Sequence, residues 1–208
     1  PHPKDYPEKL FKVMAERSNI CKQLHMPLQA GNNRILDKMN RTYTQEEFLT
    51  LIDCARTYMP DVVISTDIIV GFCSETEDEF QDTLSVVKKA EFDSAYMFSY
   101  SERPNTLASK RFEDDVTNDD KSHRLARLID LQKPISLKKN LSHIDQVQAV
   151  IIEQLHTKKH PDTFQGRNDG NKPVIFPAGD FQLGQDLPIR ITKATHHTLH
   201  GEVETITR

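Results

Sequence analysis

Apolar positions with helical spacing alternate with β-rich runs over the first two thirds of the chain. Thr44 and Glu47 have the spacing of a capping box, in which each side chain satisfies a free backbone amide, so a helix is expected to begin there. The pattern as a whole predicts helices over residues 6–18, 32–40 and 45–58, and a short strand over residues 20–26.

The run DVVISTDIIVGF, residues 61–72, is rich in β-branched residues at both parities. This is typical of a parallel strand covered on both faces, so we predict a central strand here. Ser74 and Glu77 predict a second capping box with a helix after it, and residues 92–100 predict a third strand. The resulting βαβαβ order requires right-handed connections and a mostly parallel sheet. A long helix over residues 118–140 follows, with a packing face of Leu125, Leu128, Ile129 and Leu131.

The pattern changes near residue 142, after which short β-rich segments are separated by Gly, Pro and Asn. We therefore predict an α/β domain over residues 1–142 and a small antiparallel β-barrel over residues 143–208. Four or five strands are expected in the barrel, over residues 147–155, 172–176, 187–192 and 198–206 among them. Three parallel strands do not complete a barrel of six or eight units, and the start PHPKD has no initiator Met, so we expect the interior of a longer protein.

Composition removes several classes of protein. The chain has 27 Lys and Arg against 31 Asp and Glu, a net charge of −4, so any contact with RNA must be local. Its three cysteines are too widely spaced for a metal motif or a disulfide framework. No segment is long and apolar enough to cross a membrane. We expect a cytoplasmic chain that ligates no metal.

Candidate ligand-binding residues follow from strand parity. Ser65, Asp67, Ile69 and Gly71 share one face of the central strand, and ligands of parallel α/β folds bind at the carboxyl ends of strands. A buried Asp67 requires a partner, and a purely structural carboxylate is an equal alternative. His25, Gln29 and Arg41 lie near the end of the preceding strand, and Tyr100 and Arg103 follow the third.

A second candidate surface lies in the small barrel. Residues 143–208 hold seven basic and eight acidic side chains, which gives no general attraction to nucleic acid. A local patch is sufficient for phosphate contact, and small five-stranded barrels often bind nucleic acid. We expect one side of the barrel to present Lys158, Lys159, Arg167, Lys172, Arg190 and Lys193.

Four segments, PHPKD, HMPLQAGNNRILDKMNRTYT, PDVVISTDIIVGFCSETEDEF and FSYSERPNTLA, occur in order with appropriate spacing. Together they resemble the radical S-adenosylmethionine methylthiotransferases that modify tRNA, over nearly all of residues 1–140. Residues from about 143 onward resemble the RNA-binding TRAM domain that ends those enzymes. The resemblance implies an α/β fold, namely the carboxyl-terminal half of a partial (βα)6 radical SAM barrel followed by a small antiparallel TRAM barrel.

The resemblance also implies a reaction and its cofactors. Members of the family use S-adenosylmethionine and two 4Fe–4S clusters to add a methylthio group to C2 of N6-isopentenyl-adenosine next to the anticodon, so tRNA, through its anticodon stem-loop, is the implied partner. The resemblance implies that Gln29 and Arg41 hold the polar tail of S-adenosylmethionine and that Asp67, Ile69 and Gly71 line the groove in which this cofactor lies. Tyr100 is a further implied cofactor-binding residue, and Arg103 would face cofactor or RNA.

The chain departs from the family in two ways. It lacks the amino-terminal methylthiotransferase domain and the CxxxCxxC loop, so we expect the chain alone to be inactive and to need those segments of the intact parent. It also reads GFCSET where the family commonly reads GFPGET, and Cys73 is interpreted as a small replacement for Pro.

Two alternatives to the tRNA enzyme stay open. One is the sister enzyme that methylthiolates an aspartate of a ribosomal protein, and the other is a non-catalytic RNA-binding fragment. Half a barrel leaves a sheet edge and an apolar face unpaired, so we also expect the truncated chain to self-associate.

Overall fold

The structure of the chain is a computed structural model that describes residues 3–156 and 161–204, apart from the side chain of Lys4. After a short 3-10 turn at Pro3–Asp5, its helices are α1 (Glu8–Glu16), α2 (Asn33–Lys38), α3 (Gln45–Tyr58), α4 (Glu77–Ala90), α5 (Leu107–Arg111) and α6 (Asn118–Leu141). Its strands are β1 (Gln23–His25), β2 (Val63–Val70), β3 (Ser94–Ser99), β4 (Val147–Gln154), β5 (Thr163–Asn168), β6 (Pro173–Pro177), β7 (Asp186–Ala194) and β8 (Leu199–Val203).

The first three strands form a parallel sheet in the order β1-β2-β3, with β2 in the centre as the sequence predicts. One face of β2 is fully buried: Ile64, Thr66, Ile68 and Val70 have no exposed surface, and the three aliphatic ones belong to the main core with aromatic residues of α3 and α4. The helices α3 and α4 therefore cover this face of the sheet.

The other face of the sheet is open, so the expectation that β2 is covered on both faces is wrong. Asp67 and Ile69 are half-exposed there. Their partners in register on β3 are Tyr96 and Phe98, which expose 57% and 53% of their surface. The β-branched residues at both parities predicted the strand correctly, but around Asp67 and Ile69 one parity has no covering layer among the described residues, whereas Val63 and Ser65 at the start of the strand are buried. An open apolar face is the surface that part of a barrel would leave.

The two predicted capping boxes have different outcomes. Thr44 and Glu47 form the expected box at the start of α3. The box before α4 consists of Thr76 and Glu79, so the predicted pair Ser74 and Glu77 is wrong. Ser74 has a left-handed backbone, with φ of 64°, and its amide donates to the Asp115 carboxylate at 2.6 Å. Because Ser74 belongs to this turn, the helix begins two residues later than predicted, with Thr76 as its N-cap.

Glu79 of this box is also paired with Arg34, whose Nε and Nη2 donate to its carboxylate at 2.5 and 2.7 Å. Hydrogen bonding to Arg34 lowers the pKa of Glu79 to about 2. Because the folded pKa lies below that of an unfolded Glu, this group stabilises the fold fully above about pH 4.5 and loses that contribution as the pH falls toward 2.

We therefore expect Glu79→Gln to remove part of the acid sensitivity of the protein. Urea midpoints measured between neutral pH and pH 2 should fall less steeply for the variant than for the unaltered chain. Glu102→Gln, at an exposed loop position, is the matched control and should keep the original profile. Identical profiles for all three proteins would contradict this assignment.

The long helix α6 packs through a polar seam. Of the four predicted packing residues only Leu128 is fully buried, whereas Leu125 and Leu131 pack at the margin of the core. The remaining buried positions recur every three or four residues, as helical geometry requires. They are Lys121, Arg124, Gln132, Ser136 and Asn140.

The last five strands close into a barrel in the order β4-β5-β6-β8-β7. All neighbours are antiparallel except β6 and β8, which pair in parallel. The sequence did not predict β5, because its TFQGRN run contains a single large apolar residue, Phe164, which fills the barrel core together with Phe176. Within residues 3–156 and 161–204, no helix combines the length and apolar composition needed to cross a membrane.

Candidate cofactor and RNA sites

The turn after β1 is joined directly to the central strand. Gln29 is buried and has a left-handed backbone, with φ of 67°. The backbone amide of Gln29 donates to the Asp67 carbonyl at 2.8 Å, and the backbone carbonyl of Gln29 accepts from the Ile69 amide at 2.9 Å. The structure therefore brings together three of the predicted cofactor residues, Gln29, Asp67 and Ile69, toward the carboxyl end of β2.

Asp67 has the partner that its position requires. Its Oδ2 lies 3.2 Å from Nε2 of His25, and Nδ1 of the same ring lies 3.0 Å from the Ser65 hydroxyl. The Tyr96 ring meets the His25 ring edge-on at 6.0 Å between centroids. All four side chains belong to the same face of the sheet as Ile69, so the pair of Asp67 and His25 could form hydrogen bonds with a bound ligand. The same pair is also what a purely structural Asp67 carboxylate would need. A cofactor role of Asp67 therefore stays a prediction.

The turn GFCSET after β2 is held by a buried carboxylate that sequence reasoning missed. The Gly71 amide donates to Oε2 of Glu75 at 2.6 Å. Nη1 of Arg124 donates to the same oxygen at 3.0 Å and to the Glu75 carbonyl at 2.9 Å. Burial raises the pKa of Glu75, while both donors oppose that shift. Glu75 could have been found from its place in the GFCSET turn, and Arg124 from the helical spacing of the polar residues in α6.

Gly71 does not lie open to a ligand on the side of α6. It has a left-handed backbone, with φ of 70°, and a Cβ atom here would overlap the Lys121 side chain. The Lys121 ammonium donates to both oxygens of Asp114 at 2.6 Å. The prediction that glycine leaves room for a ligand is thus corrected on this side, where the room is taken by a lysine stem.

Tyr100 lies beside that turn, at the carboxyl end of β3. Its amide donates to the Val70 carbonyl at 2.8 Å, and its ring meets the Phe72 ring edge-on at 4.8 Å. The Lys121 ammonium lies 5.5 Å from the ring centroid. Burial, with the Cys73 thiol beside the hydroxyl, raises the pKa of Tyr100 to about 12. Tyr100 is therefore neutral at physiological pH and can donate a hydrogen bond.

The remaining predicted residues of the α/β part lie at other places. Arg41 follows α2 and is half-buried, and its Nε is buried with no hydrogen-bond partner among the described residues. Arg103 is exposed in the segment between β3 and α5. Cys73 is buried, and burial raises the pKa of its thiol. In the described ranges, no group of three or more His, Cys, Asp or Glu side chains has the geometry of a metal site.

Two of the predicted RNA-binding residues flank one strand of the small barrel. Arg167 on β5 and Arg190 on β7 are in register with Ile151 and Val147 of β4, both of which are exposed. Arg167 is paired with Glu153 at 2.9 Å, and Arg190 with Glu204 at 2.7 Å. Both guanidinium groups thus lie on the outer surface, on either side of β4.

The other predicted RNA-binding lysines are not all available. Lys193 is exposed on β7. Lys158 and Lys159 lie outside the described residues. Lys172 is buried, and its ammonium binds Asp93 at 2.8 Å, so its assignment to an exposed RNA patch is corrected. The sequence could not reveal this because the partner carboxylate is far away along the chain.

Comparison with known families agrees with this architecture. Residues 2–87 match the radical SAM superfamily, and residues 142–203 match the TRAM domain. A solved structure titled as coproporphyrinogen III oxidase of Escherichia coli, a radical SAM enzyme, is 14% identical and superposes with a TM-score of 0.51, covering 81% of this chain and 45% of that one. At this identity the likeness concerns the fold alone.

Curated relatives are considerably more similar. Proteins named tRNA-2-methylthio-N(6)-dimethylallyladenosine synthase are 41% identical in Flavobacterium psychrophilum, 43% in Parabacteroides distasonis and 42% in Chlorobaculum tepidum. Each alignment covers 97% of this chain but only 42%, 44% and 45% of the respective relative. The chain thus spans less than half the length of these relatives.

Proposed function

We propose that this chain supplies one wall of the cofactor barrel and the RNA-binding domain of a tRNA methylthiotransferase. The proposal fits its two matched parts, a radical SAM segment followed by a TRAM domain. The intact parent would add a methylthio group to C2 of N6-isopentenyl-adenosine next to the anticodon. The observation that carries the proposal is the identity of 41% to relatives of that name over 97% of this chain. Those names favour tRNA over a ribosomal protein as the substrate.

The open face of the sheet fits S-adenosylmethionine in chemistry. When bound and reduced, this cofactor supplies a carbon-centred radical. Ile69 and Phe98 offer a half-exposed apolar surface on which an adenine ring could lie. The buried, unpartnered Nε of Arg41 is suited to a carboxylate of the polar tail. Gln29 would fix the turn against Asp67 at the same end of the sheet.

The same face would position the RNA base and exclude water. Tyr96 and Phe98 are large rings without a covering layer in the described part of the chain, and a stacked base or the missing half of the barrel would cover them. Tyr100 would offer a neutral hydroxyl to cofactor or RNA, and the exposed Arg103 would reach phosphate. These roles depend on residues that bind and orient, which is the contribution expected of a protein wall.

The iron–sulfur clusters would be ligated by other segments of the parent. A cluster requires several cysteines that converge on one point, whereas Cys21, Cys54 and Cys73 are far apart along the chain. We therefore expect no 5′-deoxyadenosine from this chain with S-adenosylmethionine and a reductant, and ready formation from the intact parent with a modified anticodon stem-loop. Methylthiolation of ribosomal protein but not of tRNA by the parent would overturn the proposal.

RNA binding by the small barrel is testable on this chain itself. The double variant Arg167→Gln/Arg190→Gln should weaken binding to an anticodon stem-loop, measured by fluorescence anisotropy. It should also flatten the plot of log affinity against log salt by about 0.7 for each lost phosphate contact. Lys138→Gln is the control, because this exposed lysine lies on α6 and not on the barrel. Equal affinities and slopes for all three proteins would remove Arg167 and Arg190 from the RNA surface.

A further inference from the structure

The turn between β5 and β6 makes an unusual contact with the parallel sheet. We call residues 168–172, the run NDGNK, the docking turn. It is braced internally, since the Asn168 side chain accepts from the Lys172 amide at 2.9 Å and the Arg167 guanidinium donates to the Asn171 carbonyl at 2.8 Å. The turn therefore presents Lys172 with little freedom.

The Lys172 ammonium is enclosed between the two parts of the chain. It donates to Oδ1 of Asp93 at 2.8 Å and to Oδ1 of Asn140 at 2.9 Å. The side chains of Lys172 and Asp93 expose only 8% and 6% of their surface. Such a pair is costly to break on one side, because the remaining charge is left buried without a partner.

Both partners of Lys172 are themselves fixed. Oδ2 of Asp93 accepts from the Ile64 amide at 3.0 Å, which ties it to the amino-terminal part of β2. The side-chain Nδ2 of Asn140 donates to the Thr195 carbonyl, just after β7, at 2.8 Å. The lysine is thus the point where the sheet, the end of α6 and the small barrel meet.

A second, independent contact is steric. A Cβ atom on Gly170 would lie 2.7 Å from Cγ2 of Val63, at the first residue of β2. A side chain larger than hydrogen requires either the docking turn or the β-branched Val63 side chain to shift. Beside this contact lies a cavity of about 510 Å³ that is lined by both parts of the chain. The docking turn therefore contacts the sheet only locally, and the cavity separates the two parts of the chain beside it.

We propose that the docking turn holds the small barrel against the amino-terminal edge of the parallel sheet, so that the two parts move as one rigid body, and that Lys172 is the positioning residue of this contact. Domains joined by a linker move relative to each other unless an interface prevents it. Here the buried ion pair and the close approach of Gly170 prevent it. The proposal concerns geometry and does not require the proposed function.

The test is 15N relaxation by NMR on the 208-residue chain. In the unaltered chain, amides of the sheet and of the small barrel should report one rotational correlation time. Lys172→Met should give the small barrel a shorter time than the sheet, with the ratio falling to about one half as the domains tumble separately. Lys138→Met is the matched control, because it removes an exposed pair with Glu91 at 2.7 Å, and its ratio should stay at one.

Further variants separate docking from folding. Asp93→Asn/Lys172→Met leaves no buried charge unpaired, so it should regain stability while the two correlation times stay different. Gly170→Ala should separate the correlation times without changing any charge. Two different times in the unaltered chain, or a single time in all of the Lys172 and Gly170 variants, would overturn the proposal.

A functional consequence follows only if the proposed function holds. In the intact parent, Lys172→Met should raise KM for the tRNA several-fold while leaving cofactor cleavage without tRNA unchanged, and the Lys138→Met control should change neither. Failure of the parent to act on tRNA would count against the proposed function and leave the relaxation result to decide the docking proposal.

Discussion

Replacement of Arg124 by Met is expected to lower the free energy of unfolding by about 3–5 kcal/mol, because it leaves the Glu75 carboxylate buried without its cationic partner. Arg124 donates to both the carboxylate and the carbonyl of Glu75, and both side chains are buried. The same carboxylate accepts from the Gly71 amide, so the turn after β2 should loosen as well. Urea unfolding followed by circular dichroism measures the loss.

Two comparisons make this prediction specific. Arg127→Met removes a neighbouring ion pair with Glu77 at 2.8 Å whose side chains are 30% and 51% exposed, and should cost no more than about 1 kcal/mol. The double variant Glu75→Gln/Arg124→Met removes the unpaired charge and should recover part of the loss. Equal losses for Arg124→Met and Arg127→Met would show that burial of the pair has little effect on stability.

Phe176→Ala is expected to cost about 3–5 kcal/mol and to unfold the small barrel first. Phe176 is fully buried and packs edge-on against Phe164 at 6.2 Å in a core that this barrel does not share with the sheet. A barrel of this size has a small core, so the loss of one aromatic ring is a large fraction of its stability. Amide signals of β4 to β8 should lose dispersion at a lower urea concentration than those of β1 to β3.

The matched control deletes the same side chain from the open face. Phe98→Ala should change the stability of this chain by less than about 0.5 kcal/mol, because the ring is already half in water. In the intact parent the same substitution should cost considerably more if further strands cover that face. A small and equal effect in both proteins would contradict the proposal that the open face is a barrel interior.

The elements of the fold followed from local chemistry wherever one signal decided them. The box of Thr44 and Glu47 placed the start of α3 correctly, and β-branched residues predicted β2. Ser74 was misassigned because its capping signal competes with a turn that Asp115 holds, and that contact is distant in sequence. Strand β5 was missed because a strand with one buried large residue has almost no periodic pattern.

For the candidate site, the sequence predicted which strand ends carry the polar side chains, but it did not predict which side chains pair with one another. Parity placed Asp67 and Ile69 on one face, and the open face agrees with that placement. The partner of Asp67 is His25, on a neighbouring strand, and the partner of Lys172 is Asp93, in the other domain. Such pairs depend on register and docking, which one sequence without a fold does not specify.

The helix α6 sets the distance between the two edges of the sheet. Lys121, near its first turn, lies against Gly71 at the carboxyl edge of the sheet, and Asn140, near its last, meets Lys172 at the opposite edge. Its 24 residues span about 36 Å at the rise of an α-helix. A mononucleoside at the carboxyl edge is too short to reach the outer surface of the small barrel as well. Under the proposed function, an RNA that contacts both that edge and Arg167, next to the docking turn, must extend over a comparable distance, as a stem with its loop does.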